Sequence, residues 1–134
     1  MINVLKEASK NFVQHQLRLE LTPSSLQTDT DFYHVNMSLT KNGETILTDF
    51  YYTLAFIDLI CLAMLGETAE DDETINDLIG ETTNQIAGSA KILADNTFDI
   101  GLPCVLSKVR LSPENGTLNA FCIDNTMMFC IAMK

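Results

Sequence analysis

The sequence predicts an α+β fold, with long helices packed on an antiparallel β-sheet. Three observations carry this. Apolar residues recur at helical period near the amino terminus and again beyond residue 75; tracts such as 33–39 alternate apolar and polar residues. In addition, Asn3-x-x-x-Glu7-x-x-Lys10 falls on Asp77-x-x-x-Glu81-x-x-Asn84 at an offset of 74 residues, each opening a helix that leads into strands. At 134 residues, with no linker or low-complexity tract, the chain suits one domain spanning 1–134, large enough to bury a core without disulfides or metal.

Each element has its own signal. Asn3 to about Gln16 places Val4, Leu5, Ala8, Phe12 and Val13 on one helical stripe. In Asp31 to Leu39, Tyr33, Val35, Met37 and Leu39 alternate with His34, Asn36 and Ser38, as a half-buried strand requires. Asn42-Gly43 then predicts a two-residue hairpin turn into a strand over Thr45–Tyr51. A second helix covers Thr53–Leu65 and is closed by Gly66. The acidic run from Glu67 to Glu73 lacks the alternating ligands and central glycine of a calcium loop, and it reads as a solvated cap for the next helix. That helix extends to about Asp95. Strands follow at Phe98–Ile100, Cys104–Leu111, Thr117–Ile123 and Met127–Met133, with turns at Asn115-Gly116 and Asp124-Asn125.

Composition excludes several functions. The 18 acidic residues outnumber the 8 basic ones, leaving a net charge of -10, so nucleic acid is not an expected partner. The longest apolar run, Leu54 to Leu65, contains Asp58 and is too short to span a bilayer; with no leader-like amino terminus, a cytoplasmic protein is expected. Cys61, Cys104, Cys122 and Cys130 lack zinc-ligand spacing and read as small buried hydrophobes. His15 and His34 have no ligand or nucleophile at a recognisable spacing, and His34 reads as a polar-face strand residue. No metal site is expected.

The segment most suggestive of chemistry is the third helix. Residues 77, 81, 84 and 88 are spaced four, three and four apart and share one face: an acid, a second acid, a carboxamide and a glycine. The opposite stripe carries Ile75, Leu78, Ile79, Thr82, Ile86, Ala90 and Leu93. A mid-helix glycine costs about 1 kcal/mol relative to alanine, and Gly88 would leave room for another molecule's backbone.

The row Asp77-x-x-x-Glu81-x-x-Asn84 resembles the Asp/Ser-x-x-x-Glu-x-x-Asn signature of the CheC/CheX/FliY phosphatases of bacterial chemotaxis. The likeness extends through Gly80, Ile86, Ala87, Gly88, Ala90 and Lys91 to Phe98-Asp99-Ile100-Gly101-Leu102-Pro103, covering roughly residues 75 to 105. One such motif is present, so the chain is most similar to single-site CheX-like members. Pro103 follows Asn84 by 19 positions, a shorter connection than in the CheC type. The resemblance implies a CheC-like fold with pseudo-two-fold halves, of which only the second keeps its site. It also implies hydrolysis of the phosphoaspartate on a phosphorylated CheY-type response regulator, with any Mg2+ held by that partner and no cofactor on this chain.

In that setting the residue types make chemical sense. An acyl phosphate is already activated, so its hydrolysis needs a water held in line with phosphorus. A carboxamide offers one acceptor and two donors and stays neutral beside phosphate, which suits Asn84 to orient the water; positioning of this kind is worth ~7 kcal/mol at best. Glu81 suits the lysine that response regulators carry beside the phosphoaspartate. Asp77 falls to the rim or to helix support, and Gly88 to clearance for the partner. The resemblance further implies a homodimer joined through sheet or swapped elements, with the apolar strand Met127–Met133 a candidate edge to be covered. The alternative is a non-catalytic adaptor of the same fold that binds a regulator.

Overall fold

The computed structural model describes residues 1–114 and 118–133. Among them lie three helices, α1 (Ile2–Leu17), α2 (Leu54–Leu65) and α3 (Asp72–Leu93). The strands are β1 (Thr22–Ser24), β2 (Thr30–Lys41), β3 (Glu44–Tyr52), β4 (Asp99–Ile100), β5 (Cys104–Leu111), β6 (Asn119–Cys122) and β7 (Met128–Met133). All pairings are antiparallel, in the order β1-β6-β7-β3-β2-β4, with β5 also paired to β2. The α+β expectation holds.

The order makes the two halves visible. Exchanging α1-β1-β2-β3 with α3-β5-β6-β7 turns the β1–β6 pair into β5–β2, turns β6–β7 into β2–β3, and maps β7–β3 onto itself. The halves therefore interleave in one sheet about a pseudo-dyad between β3 and β7. The helices cover one face, where Val35, Met37, Leu39, Phe50, Tyr52, Phe129 and Ile131 meet Leu5, Phe12, Ile79 and Ile86. Burying one such side chain is worth about 1.5–3 kcal/mol, and this cluster is what seats α1 and α3 side by side on the sheet.

Local chemistry sets the boundaries. Asn42 and Gly43 both take positive φ, 52° and 80°, as the tight β2–β3 hairpin demands. The Thr53 hydroxyl caps α2 by accepting from the Phe56 N–H, and Gly66 ends it in the left-handed region at φ 79°. Thr53 also anchors that corner by donating to the Thr126 carbonyl at 2.9 Å. Asp71 accepts from the Thr74 N–H at 2.7 Å and so starts α3, while Asp72 and Glu73 complement the dipole of its first turn. The acidic run is therefore a cap, as read. Asp124 accepts from the Thr126 and Met127 N–H groups at 2.8 and 3.1 Å, closing the turn before β7; the Thr126 backbone bond is the main cause holding its carboxyl below the usual range. The expected Asn115-Gly116 turn lies outside the described residues.

Three expectations are corrected and one strand is added. Met127–Met133 is not an edge: β7 lies between β6 and β3, and it is apolar on both faces because both are covered. β1 was not anticipated; its three residues carry no period, and Pro23 is tolerated because the strand is an edge. Leu93 is exposed, while Thr83 and Ala87 join the buried stripe instead. Cys104 is exposed at the start of β5 and Cys122 half-buried, whereas Cys61 and Cys130 are buried as expected. Burial pushes the Cys130 thiol up to about 12 and raises Cys61 as well, with Asp58 and Glu67 adding to the latter.

The sheet's other face carries a smaller buried cluster that includes Leu26, Phe32, Tyr51, Leu111 and Met128. Beside it His34 follows its polar-face assignment: it stacks on Tyr51 at 4.6 Å, and its Nε2 lies 2.7 Å from Asp49 Oδ1, which also accepts from Asn36 at 3.2 Å. Burial above all, then the Asp49 carboxylate, pushes the Tyr51 phenol up to about 12.

Candidate functional site

The rotation of α3 about its axis decides what it presents. Ile75, Leu78, Ile79, Ile86 and Ala90 turn into the core, leaving Asp77, Glu81 and Asn84 exposed. A polar chain locks this rotation. Tyr52 on β3 and Thr83 on α3 share a 2.6 Å hydrogen bond, and the Thr83 hydroxyl donates to the Ile79 carbonyl at 2.7 Å. Both groups are buried, and burial drives the Tyr52 phenol far above its ordinary value against the smaller, opposing effect of the Thr83 bond. Thr83 is the residue before Asn84, so the chain that seats one aims the other outward. Thr83→Val would leave the Tyr52 hydroxyl buried and unpaired. It should cost about 1–3 kcal/mol, more than Tyr52→Phe, which leaves the Thr83–Ile79 bond intact. Urea denaturation of the two variants tests that order.

Asp77, Glu81 and Asn84 line an open groove of about 300 Å³, together with Asn76 and Gly80 from the helix. Leu102, Pro103 and Val105 form its opposite wall. That wall is held in place: the Gly101 N–H donates to the Ser38 carbonyl at 2.8 Å, and Lys91 near the end of α3 pairs with Asp99 at 3.1 Å. Leu102 is 88% exposed, an apolar side chain that no core contact explains. The Asn84 carboxamide forms no hydrogen bond with the described residues. Glu81 accepts one bond from Gln85 at 3.2 Å, a neighbour one turn on that steadies the carboxylate without covering it.

The structure thus brings three of the four anticipated residues to one groove. Gly88 lies one turn further along the same helix, outside the groove lining, and a Cβ built on it meets nothing within 4 Å. The chain's own packing does not require a glycine there. Gly88→Ala should therefore stabilise the fold by about 1 kcal/mol, read as a higher urea midpoint at unchanged slope. The wall residues Leu102 and Val105 had been given no role; the signal for Leu102 was an apolar residue set between Gly101 and Pro103 in a short connection.

Among the described residues no cluster of three or more His, Cys, Asp or Glu side chains is arranged to hold a metal ion. No helix among them is long and apolar enough to cross a membrane. The arrangement defines a class: an α+β scaffold with an open groove lined by two carboxylates, two carboxamides and three apolar residues.

Comparison with known proteins narrows this. The family described as "Chemotaxis phosphatase CheX" matches residues 50–126, more than half of the chain, and the protein belongs to that family. No curated protein matches it in sequence. Among solved structures it is similar to the chemotaxis protein CheX from Vibrio vulnificus, with a TM-score of 0.76 at 23% identity, covering 98% of this chain and 93% of that one. A CheC-like superfamily protein from Shewanella sp. PV-4 gives 0.75 at 23% identity, covering 98% and 94%. A CheX–CheY–BeF3–Mg2+ complex from Borrelia burgdorferi gives 0.62 at 16% identity, covering 99% and 97%. At these identities the likeness establishes the fold.

Proposed function

We infer that this protein is a phosphatase that hydrolyses the phosphoaspartate of a CheY-type response regulator. The observation that carries the reading is Asn84: an exposed carboxamide without an internal partner, one turn from Glu81, over an open groove, in a member of a chemotaxis phosphatase family. In this reading Glu81 pairs with the lysine beside the regulator's phosphoaspartate and sets the register of docking. Asn84 then reaches the phosphoryl group and holds a water opposite the leaving carboxylate. The water oxygen bonds to phosphorus as the bond from phosphorus to the acyl oxygen breaks. The regulator's aspartate is returned as a carboxylate, inorganic phosphate leaves, and phosphate takes the water's proton. Asp77 lines the rim, and Gly88 lets the partner's backbone approach.

Mg2+ belongs, in this reading, to the regulator's own acidic site. A homodimer in the cytoplasm remains the proposed state, and a solution mass of twice 14.9 kDa is its test. With β7 interior, joining through sheet would use the β1 edge or the edge formed by β4 and β5.

The reaction is tested with a CheY-type receiver domain phosphorylated by a small acyl phosphate donor, following phosphate release after the donor is removed. Added protein is expected to shorten the lifetime of the phosphorylated receiver. If a complex forms and the lifetime is unchanged, the chain is an adaptor and the enzymatic reading falls.

A further inference from the structure

The pseudo-dyad builds the groove twice. The buried residues of α1 are Leu5, Ala8, Ser9, Phe12 and Val13; adding the repeat offset of 74 gives Ile79, Thr82, Thr83, Ile86 and Ala87, all buried on α3. The correspondence reaches individual hydrogen bonds. The Ser9 hydroxyl donates to the Leu5 carbonyl at 2.7 Å, as Thr83 does to Ile79 at 2.7 Å. Helices seated in the same rotation present the same positions outward, so Glu7 and Lys10 occupy on α1 the places of Glu81 and Asn84. Both are exposed, and both line a groove of about 320 Å³ walled by Leu21, Thr22 and Pro23, as Leu102 and Pro103 wall the first.

We propose that the α1 groove is a second docking site for a phosphorylated receiver domain, one that holds its partner without discharging it. This rests on the reading of the α3 groove given above. Glu7 repeats the carboxylate for the partner's lysine. Lys10 changes the chemistry at the neighbouring position: an ammonium pairs with phosphoryl oxygens, but it has three donors and no acceptor, so it cannot orient an attacking water as an amide does. Gln14 stands where α3 has Gly88, which keeps the partner's backbone further out. Glu20 also lines this groove. A free phosphate would therefore meet two carboxylates and one ammonium, whereas a surface presenting a lysine beside its phosphoryl group satisfies both signs.

The test is a calorimetric titration of the full chain with a CheY-type receiver domain activated by beryllofluoride and Mg2+. Two receivers per chain are expected for the wild type, one for Glu81→Lys, one for Glu7→Lys, and none for the double variant. Glu7→Gln supplies the same loss should the lysine variant fold poorly. In the Glu81→Lys background the remaining event should require beryllofluoride, and adding Lys10→Gln should remove that requirement. Saturation at one receiver per chain with accelerated phosphate release overturns the second site and leaves the α3 reading standing. A wild type that binds no receiver overturns both.

Discussion

Asn84→Ala should lower the maximal rate of receiver dephosphorylation by about 100-fold or more while changing receiver affinity only a few-fold. The size follows from what the amide is asked to do. A water displaced by about an ångström from the line of attack loses on the order of 100-fold in rate, which is about 2.7 kcal/mol of barrier. Nothing in the chain competes for the effect: the side chain is exposed, makes no hydrogen bond among the described residues, and sits on a helix held by Thr83 rather than by itself. Truncation should thus leave the fold and the groove unchanged. Because the amide acts mainly in the transition state, the loss should fall on kcat, with KM nearly constant. Single-turnover phosphate release at saturating protein isolates that step. A comparable fall in affinity would instead make Asn84 a docking residue. An unaltered rate would remove it from the chemistry altogether.

The features that carry this argument differ in how far they could be read from the sequence. Helical period and turn chemistry are local, so α1, α2, α3, the Asn42-Gly43 hairpin and the Gly66 cap were all legible. The outward row of α3 was legible too, because apolar Ile75, Leu78, Ile79 and Ile86 leave only one face for Asp77, Glu81 and Asn84. What was hidden depends on distant neighbours. Thr82 and Thr83 are fully buried, and only the Tyr52 hydroxyl, thirty-one positions from Thr83, explains why the second of them is accepted there. β7 looked like an edge because an apolar strand without alternation is ambiguous; its place between β6 and β3 is set by pairings with residues up to 85 positions away, as in Thr48 with Met133. The groove's far wall is likewise a tertiary product, since Val105 meets the helix only because β5 pairs with β2. The 74-residue repeat, weak as letters, becomes strong as geometry once Ser9 and Thr83 make the same bond.

Glu81→Lys should act on the other half of the process and raise the receiver's dissociation constant from α3 by tens- to thousands-fold. Removing one partner of a charge pair that becomes desolvated on docking costs about 2–5 kcal/mol, and a lysine adds repulsion against the partner's own cation. The effect should appear chiefly in the dissociation rate, with a weakened dependence of binding on salt, because an attractive pair has become a repulsive one. Gln85, which now donates to Glu81, loses an exposed bond of little consequence for stability. Far-UV circular dichroism and the urea midpoint should therefore match the wild type. Reversing the charge on the receiver, by substituting its lysine with glutamate, should restore part of the lost affinity, since the pair is then opposite in sign again. That exchange separates a specific pair from the general effect of the chain's net charge of -10. If Glu81→Lys binds as tightly as the wild type, or the receiver's reversal weakens binding to both proteins equally, Glu81 does not set the docking register and the α3 groove is not where the regulator sits.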